Sequence, residues 1–516
     1  MDRTPQPVLR VDDVHKDFGR GSKRKKVLKG LSFEVPENRV VSLLGANGAG
    51  KTTLVNIAST LMLPTSGTIE VCGTNVVTHP EQARRSISLT GQFAAVDGEL
   101  TGRENLVFFA RLYGLRSKAA RARADELLEQ FRLSAAATQR AAKYSGGMRR
   151  RLDIAASLIV EPRLLFLDEP TTGLDPLSRR ELWETVENLR DRGVSVLLTT
   201  QYLDEAERLS DDIVLIRDGN KVMQGAPAAL RQQFGAPVCQ IGFEAVADAD
   251  RAVADVLSAR LGRRTDGFTR EGLTVSFTAH RGVDDLADSL EALRGAGIPT
   301  STAALNPPSS AWPSNPPRKS LMRSEMSGAE KTALAVPSSP GFWRGFTGAT
   351  WRNTLRLSRN SASIVSAFVI PGLFMLAFWA VFGHAASSSG FDYALFLMAA
   401  CMFQAVLFTA GGSALALAVD VESGLLARMR AMPINAAVAI GGRLATDLLR
   451  SLASVITVAV LGLVCGAEPD SWAGAAAALG VALAMGEVLA LLFCGIALRS
   501  AQPVQVANLI QTIEMP

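Results

Sequence analysis

The stretch Gly45-Ala46-Asn47-Gly48-Ala49-Gly50-Lys51-Thr52-Thr53 constrains this chain more than any other. It follows the apolar run Val40–Leu44 and precedes a helical pattern over 53–61, so a strand hands over to a glycine-rich turn and then a helix. Glycines in such a turn let backbone N–H groups curl around phosphate oxygens. Lys51 has the charge and reach for the outer phosphates, and the Thr52 hydroxyl can ligate Mg²⁺. The helix that follows turns its positive end to the same anion. Gly45, Asn47, Gly48, Gly50, Lys51, Thr52 and Thr53 are therefore candidate nucleotide-binding residues.

Leu164-Leu165-Phe166-Leu167-Asp168-Glu169 is a second signal. Its apolar run reads as a parallel strand buried on both faces. Ligands gather at the carboxyl edge of such a sheet, where the two carboxylates fall. Asp168 suits Mg²⁺, directly or through water, and Glu169 suits orienting and deprotonating an attacking water. An acidic strand end that merely caps the next helix is the blander reading; the phosphate loop upstream outweighs it.

Tyr144-Ser145-Gly146-Gly147-Met148 opens another helical stretch over 149–160. Here the chain resembles the ATP-binding cassette (ABC) family, whose signature is L-S-G-G-Q. Ser145, Gly146 and Gly147 are kept; the flanking Leu and Gln are not. A serine hydroxyl and bare glycine N–H groups at a helix start form an anion site. The resemblance implies that this site meets the γ-phosphate of ATP bound to the opposite subunit, hence a head-to-tail homodimer with ATP sandwiched between two copies. The family's other motifs follow in order. Gln92, in Thr90-Gly91-Gln92, matches the Q-loop glutamine, a Mg²⁺ ligand and link to the membrane part. Asp175, in Gly173-Leu174-Asp175, matches the D-loop. Phe18 is placed like the aromatic that stacks on adenine, although a lone Phe serves equally as core. The resemblance covers roughly residues 8–225. One departure matters: where the family usually has a histidine, Thr199-Thr200-Gln201-Tyr202-Leu203-Asp204-Glu205-Ala206 has Gln201, which can donate a hydrogen bond but cannot carry a proton. This version looks like the daunorubicin/doxorubicin-resistance branch. It implies that Gln201 senses the γ-phosphate, with slower hydrolysis as a consequence.

At 516 residues the chain has room for about three domains. An apolar content of 48% beside a charged content of 20% fits a charged soluble half joined to an apolar membrane half. The net charge of +5 comes without a dense basic stripe, which argues against nucleic acid as a partner. The cluster Lys23-Arg24-Lys25-Lys26 reads as a solvated loop tip, with anionic lipid as the sharper alternative. The five cysteines have neither paired nor metal-like spacing and read as free thiols of a reducing compartment. The polar N-terminus has no signal-peptide pattern.

The expected fold class is an α/β P-loop ATPase domain of ABC type over 1–235, a small α+β appendix over 236–305 and an all-α transmembrane domain over 341–516. A Pro- and Ser-rich segment over 306–340, expected to be a disordered linker, separates the last two; Met322 or Met326 in it could be the relic of a permease start. In the appendix, 238–243 and 273–279 read as strands and 248–261 and 283–297 as helices. Residues 341–359 form an amphipathic, interfacial elbow helix with Arg344, Arg352, Arg356 and Arg359 opposite its aromatics. Four spans are expected: 364–382, 393–419, 452–466 extended backward, and 472–498, the last interrupted by Glu487. Residues 504–516 are too short for a fifth, which reads as a truncated or partial product. Arg428, Arg430, Arg443 and Arg499 mark the cytosolic side, while 384–392 and 467–471 carry no Lys or Arg. The ATPase domain and N-terminus thus face the cytoplasm of a multi-pass protein of the cytoplasmic membrane, in contact with its lipid. The inner loop over 420–433 resembles the coupling segment of ABC-2 type permeases, whose short helix docks near the Q-loop. Glu487 is a candidate for the transport path; Asp447 and Arg450 are expected to snorkel or pair near the interface. The function implied is ATP-driven, Mg²⁺-dependent export of amphipathic small molecules such as drugs. A lipid or polysaccharide-precursor exporter and a truncated, inactive remnant are the alternatives.

Overall fold

The computed structural model of the chain describes residues 6–19, 21, 24–233, 238–261, 267–279, 281, 283–306, 341–360, 365–387, 392–469 and 471–514. The expected linker from 307 to 340 with Met322 and Met326, Lys23 of the basic cluster, residues 388–391 of the first outer loop and Asp470 of the second lie outside them. The described residues fall into two compact units, one drawn from Met1–Asn38, Thr52–Leu197 and Ala333–Pro516, the other from Arg39–Lys51 and Leu198–Thr332.

The first unit contains an antiparallel sheet in the order Lys25–Val35, Leu9–Phe18, Ser66–Val71, Thr74–Asn75. Along its second strand, buried Leu9, Val11 and Val14 are separated by exposed Arg10, Asp12 and Asp13, so one face packs and the other is wet. The strands Ile87–Thr90 and Leu164–Asp168 behave differently. They pair in parallel, with Thr90 opposite Leu167, and every residue in both is buried. A continuous apolar run fits only a strand covered on both faces. The helix Gly102–Leu112 starts from a capping box: the Thr101 side chain accepts from Glu104 N, and Glu104 accepts from Thr101 N.

The same unit carries the apolar helices. Tyr393–Glu422, Ala437–Val464 and Trp472–Arg499 are each long and apolar enough to cross a membrane. A further apolar helix, Ala367–Gly383, is shorter; it opens with a widened π-type turn, Val365–Val369. Phe342–Arg359 precedes it and Pro503–Glu514 follows the last long helix.

In the second unit, Val40–Leu44 pairs in parallel with Asp212–Arg217, which continues antiparallel into Asn220–Gly225. Leu44, Ala206, Ile213 and Leu230 form a small core there. A separate antiparallel sheet runs Phe268–Glu271, Thr274–Thr278, Val238–Phe243, Thr300–Asn306. Phe243, Leu257, Phe277 and Leu293 pack on it. Two of these strands escape the sequence pattern for a physical reason. Phe268–Glu271 is an edge strand exposed at three positions, and Thr300–Asn306 begins with five exposed residues, so neither has apolar alternation to announce it.

Candidate nucleotide site and its link to the membrane helices

The second unit holds Gly45, Asn47, Gly48, Gly50, Lys51 and Gln201. Gly45 has no room for a side chain: a Cβ there would lie 2.4 Å from Ile216 O. Its N–H donates to Thr200 O at 3.3 Å, tying the loop to the strand end beside Gln201. Gly48 and Gly50 take φ of +82° and +105°, left-handed values that favour glycine. The loop closes on Lys51, whose side chain donates to Gly45 O at 2.8 Å and Ala46 O at 3.2 Å. Its ammonium is thereby held against the turn. Asn47 is exposed and Gln201 half-buried.

The first unit holds Phe18, Thr52, Thr53, Gln92, Ser145, Gly146, Gly147, Asp168, Glu169 and Asp175. It brings some of them together. The Thr52 hydroxyl donates to Asp168 Oδ1 at 3.3 Å, a hydroxyl and a carboxylate that suit a hard cation. Glu169 is buried and adopts φ +45°, a strained conformation for a side-chain-bearing residue. Its carboxylate accepts from Thr172 Oγ1 at 3.3 Å. Ser145 caps the helix Gly146–Ser157, its hydroxyl accepting from Met148 N at 3.2 Å. Gly147 makes room for Ser178, since a Cβ would meet Ser178 Oγ at 2.5 Å. Ser178 in turn donates to Asp175 at 2.6 Å. That hydroxyl, with the N–H groups of the helix start, holds the Asp175 carboxyl below the usual carboxylate range. Phe18 is 40% exposed, with the Lys16 ammonium 5.2 Å from its ring centre, and Gln92 is exposed; neither touches another candidate residue by a described contact. The departure Tyr144 has a structural reason. Its hydroxyl donates to Ala136 O at 2.7 Å and occupies the space over Gly102, where a Cβ would lie 2.1 Å away.

Arg150 was not singled out by the sequence reading, since it sits within the run Arg149-Arg150-Arg151, which resembles a solvated face. It is 4% exposed. Its guanidinium donates to Asp168 O at 3.1 Å, Pro170 O at 3.0 Å and Gly91 O at 2.5 Å. One side chain thus brackets Glu169 and pins the residue before Gln92. Arg150 also reaches Asp153 at 3.4 Å.

Asp153 leads to the membrane helices. Arg428, on the short helix Leu425–Ala431, binds the Asp153 carboxylate and donates to Asp153 O at 3.0 Å and Ser157 Oγ at 2.8 Å. Its guanidinium stacks 4.3 Å from the Phe109 ring centre. Burial pushes the Asp153 carboxyl up, against the pull of Arg428 and Arg150, and burial also lowers Arg428. Ser157 carries the contact on to Thr90 Oγ1 at 2.8 Å.

The amphipathic helix Phe342–Arg359 turns its arginines to protein, where the sequence suggested a membrane interface. Arg352 is buried, donating to Asp97 at 2.7 Å and to Asp420 at 2.7 and 3.0 Å. Burial works against its charge, but Asp420 and Asp97 more than offset that and hold its pKa above the ordinary arginine value. Arg359 grips Glu104 with two bonds of 2.7 Å. Asp447 and Arg450, expected to snorkel or pair, are both buried and lie 3.8 Å apart. Glu487 is half-buried.

Residues 28–172 match the model of the ABC transporter family, and residues 344–516 that of the ABC-2 type transporter. The doxorubicin resistance ATP-binding protein DrrA of Mycobacterium tuberculosis is 44% identical over 307 residues, 60% of this chain and 92% of the relative. This chain belongs to the ABC transporter family. Within that family, the daunorubicin resistance ATP-binding protein DrrA3 of Streptomyces coeruleorubidus is 44% identical, over 58% of this chain and 92% of its own. The Nod factor export ATP-binding protein I of Paraburkholderia xenovorans is 40% identical, over 46% and 77%. A solved ATP binding subunit of an ABC transporter aligns with a TM-score of 0.39 at 33% identity, covering 44% of this chain and 93% of that one. The ABC transporter chain described here is an ATPase and a membrane protein, with the ATP-binding domain and the ABC-2 type membrane domain in one polypeptide.

Proposed function

We propose that two copies of this chain form an exporter that uses ATP to move amphipathic small molecules, such as drugs, out across the cytoplasmic membrane. The observation that carries this reading is the buried chain of contacts Arg428–Asp153–Arg150. It ties the short helix between two apolar helices to the carbonyls on either side of Glu169 and to Gly91 beside Gln92. A change at the carboxylates therefore has a packed route to the membrane helices. The relatives' names, doxorubicin and daunorubicin resistance, support drugs as the cargo.

In this reading Lys51 and the N–H groups after Gly45 hold the outer phosphates, and Phe18 stacks on the adenine. Thr52, Asp168 and Gln92 hold Mg²⁺, which when bound neutralises charge on the phosphate oxygens. Glu169 orients and deprotonates the water, and Gln201 donates a hydrogen bond to the γ-phosphate. Ser145 and Gly146 are exposed, free to meet ATP on the second copy; Gly147 and Asp175 shape that surface. Arg428, Arg430, Arg443 and Arg499, beside outer loops without Lys or Arg, support a cytoplasmic ATPase side.

The test is accumulation of a fluorescent anthracycline in bacteria expressing the chain, with Glu169→Gln as the paired variant. Accumulation falls with the native chain and not with the variant. Equal accumulation in both overturns the drug-export reading.

A further inference from the structure

A cavity of about 460 Å³ opens among the membrane-side helices. Four charged residues, Arg356, Arg443, Arg450 and Asp447, are in its lining. Three guanidiniums thus face one carboxylate. Val365, Ile370, Phe408 and Val419 add apolar wall beside them. A volume in the range of ordinary ligand sites, with charged and apolar side chains in one lining, can hold an amphiphile's headgroup and the start of its tail.

Arg450 decides the sign of the ligand. Its side chain is only 6% exposed. One of its terminal nitrogens donates to Thr409 O, and the nearest carboxylate, Asp447, stands off at 3.8 Å. Asp447 itself accepts from the Ser413 hydroxyl. The Arg450 Nε is buried with no hydrogen-bond partner. An unmet buried donor of this kind is costly and leaves the guanidinium short of partners, and an anion at its terminal nitrogens gains a charge-assisted bond. Glycine at 412 lets the guanidinium lie on the cavity wall, since a Cβ there would be 3.1 Å from its terminal nitrogen. Arg356 and Arg443 add charge that Asp420 must share among three arginines. Among the described lining residues, Asp447 is the one carboxylate a cationic headgroup would find.

We propose that this cavity binds an amphiphile by an anionic headgroup, with its apolar part along Val365, Ile370, Phe408 and Val419. Basic pockets between membrane helices near the cytoplasmic face suit anionic lipid heads.

The experiment uses the full chain in a neutral detergent without nucleotide, so its result is independent of whether the chain exports drugs. Retained ligand is counted by native mass spectrometry, and melting temperature is followed, after adding phosphatidic acid, phosphatidylcholine of the same chains, inorganic phosphate or doxorubicin. Phosphatidic acid is expected to stay bound and raise the melting temperature, with phosphatidylcholine at least tenfold weaker. Arg450→Gln is expected to weaken phosphatidic acid about tenfold, the loss of one charge-assisted contact. Gln511, half-buried on the cavity wall, supplies a second pair that leaves the buried charges alone. Gln511→Glu should weaken the lipid and Gln511→Lys tighten it. The proposal is overturned if both lipids bind alike, if inorganic phosphate binds as well as phosphatidic acid, if doxorubicin is preferred, or if the Gln511 pair leaves affinity unchanged.

Discussion

Arg428 and Asp153 meet where neither side chain has water to fall back on. Burial disfavours both charges, so the pair is held by its hydrogen bonds and by Phe109 beneath the guanidinium. Removing one partner leaves the other charge stranded, which costs about 3–5 kcal/mol at a buried site. Arg428→Ala should therefore lower the melting temperature of the detergent-solubilised chain by several degrees, and Arg428→Met, which restores side-chain bulk but still leaves Asp153 without this partner, should lower it about as far. A methionine variant as stable as the native chain would mean that packing, not the stranded charge, sets the cost. Arg150 makes a different argument. Its fork holds the carbonyls on both sides of Glu169, whose φ of +45° needs an external hold. Lysine keeps the charge but has no fork. Arg150→Lys should thus cut the kcat of ATP hydrolysis on the order of tenfold or more, by letting Glu169 drift, while KM for ATP stays close to native. A rise in KM with kcat unchanged would instead place Arg150 in nucleotide binding. The phosphate loop and the carboxylates were legible in the sequence because local spacing alone carries them. Arg150 was not, because its partners at 91, 153, 168 and 170 are gathered by the fold.

The same contrast holds for whole elements. The strands Val40–Leu44 and Leu164–Asp168 and the long apolar helices announce themselves through continuous apolar runs. Phe342–Arg359 was also legible as an amphipathic helix, but its polar face was not legible as a protein contact. An arginine row bound for lipid phosphates and one bound for carboxylates look alike until the carboxylates, at 97, 104 and 420, are folded opposite them. Glu104 gives this element a pH signature. Burial tends to raise its pKa, but the bonds from Arg359 and Thr101 win and lower it. A carboxylate with a lowered folded pKa stabilises the contact above its unfolded pKa of about 4.3 and loses that contribution as pH falls through the folded value. Protection of the Phe342–Arg359 amides against hydrogen exchange, taken relative to the intrinsic rate at each pH, should accordingly be unchanged between pH 7 and 5 and fall below about pH 4. Glu104→Gln should show the faster exchange already at pH 7, through loss of the paired charge. Exchange in that variant identical to native would mean the two 2.7 Å bonds hold nothing in solution.

At the scale of the molecule, the proposed site calls on two kinds of surface. Lys51 closes the phosphate loop, while Ser145 and Gly146 offer a serine hydroxyl and bare amides on an exposed helix start. A head-to-tail pair of chains is a symmetric way to complete both sites at once, since the same two surfaces then serve twice. The arrangement has a consequence that a single-chain site lacks. In a mixed dimer of one Lys51→Ala chain and one Ser145→Arg chain, both faults fall in one site, and the other receives a native loop from one copy and a native serine from its partner. Each variant alone should be inactive as an ATPase. Mixed and reassembled in equal amounts, half the dimers should carry one intact site, and activity should return to about a quarter of native. If each chain instead builds its site from its own Ser145, every site in the mixture still contains a fault, and no activity returns. Tagging the two variants differently and purifying through both tags isolates the mixed dimer. Its turnover, read against the two parents, then reports directly which copy supplies the serine.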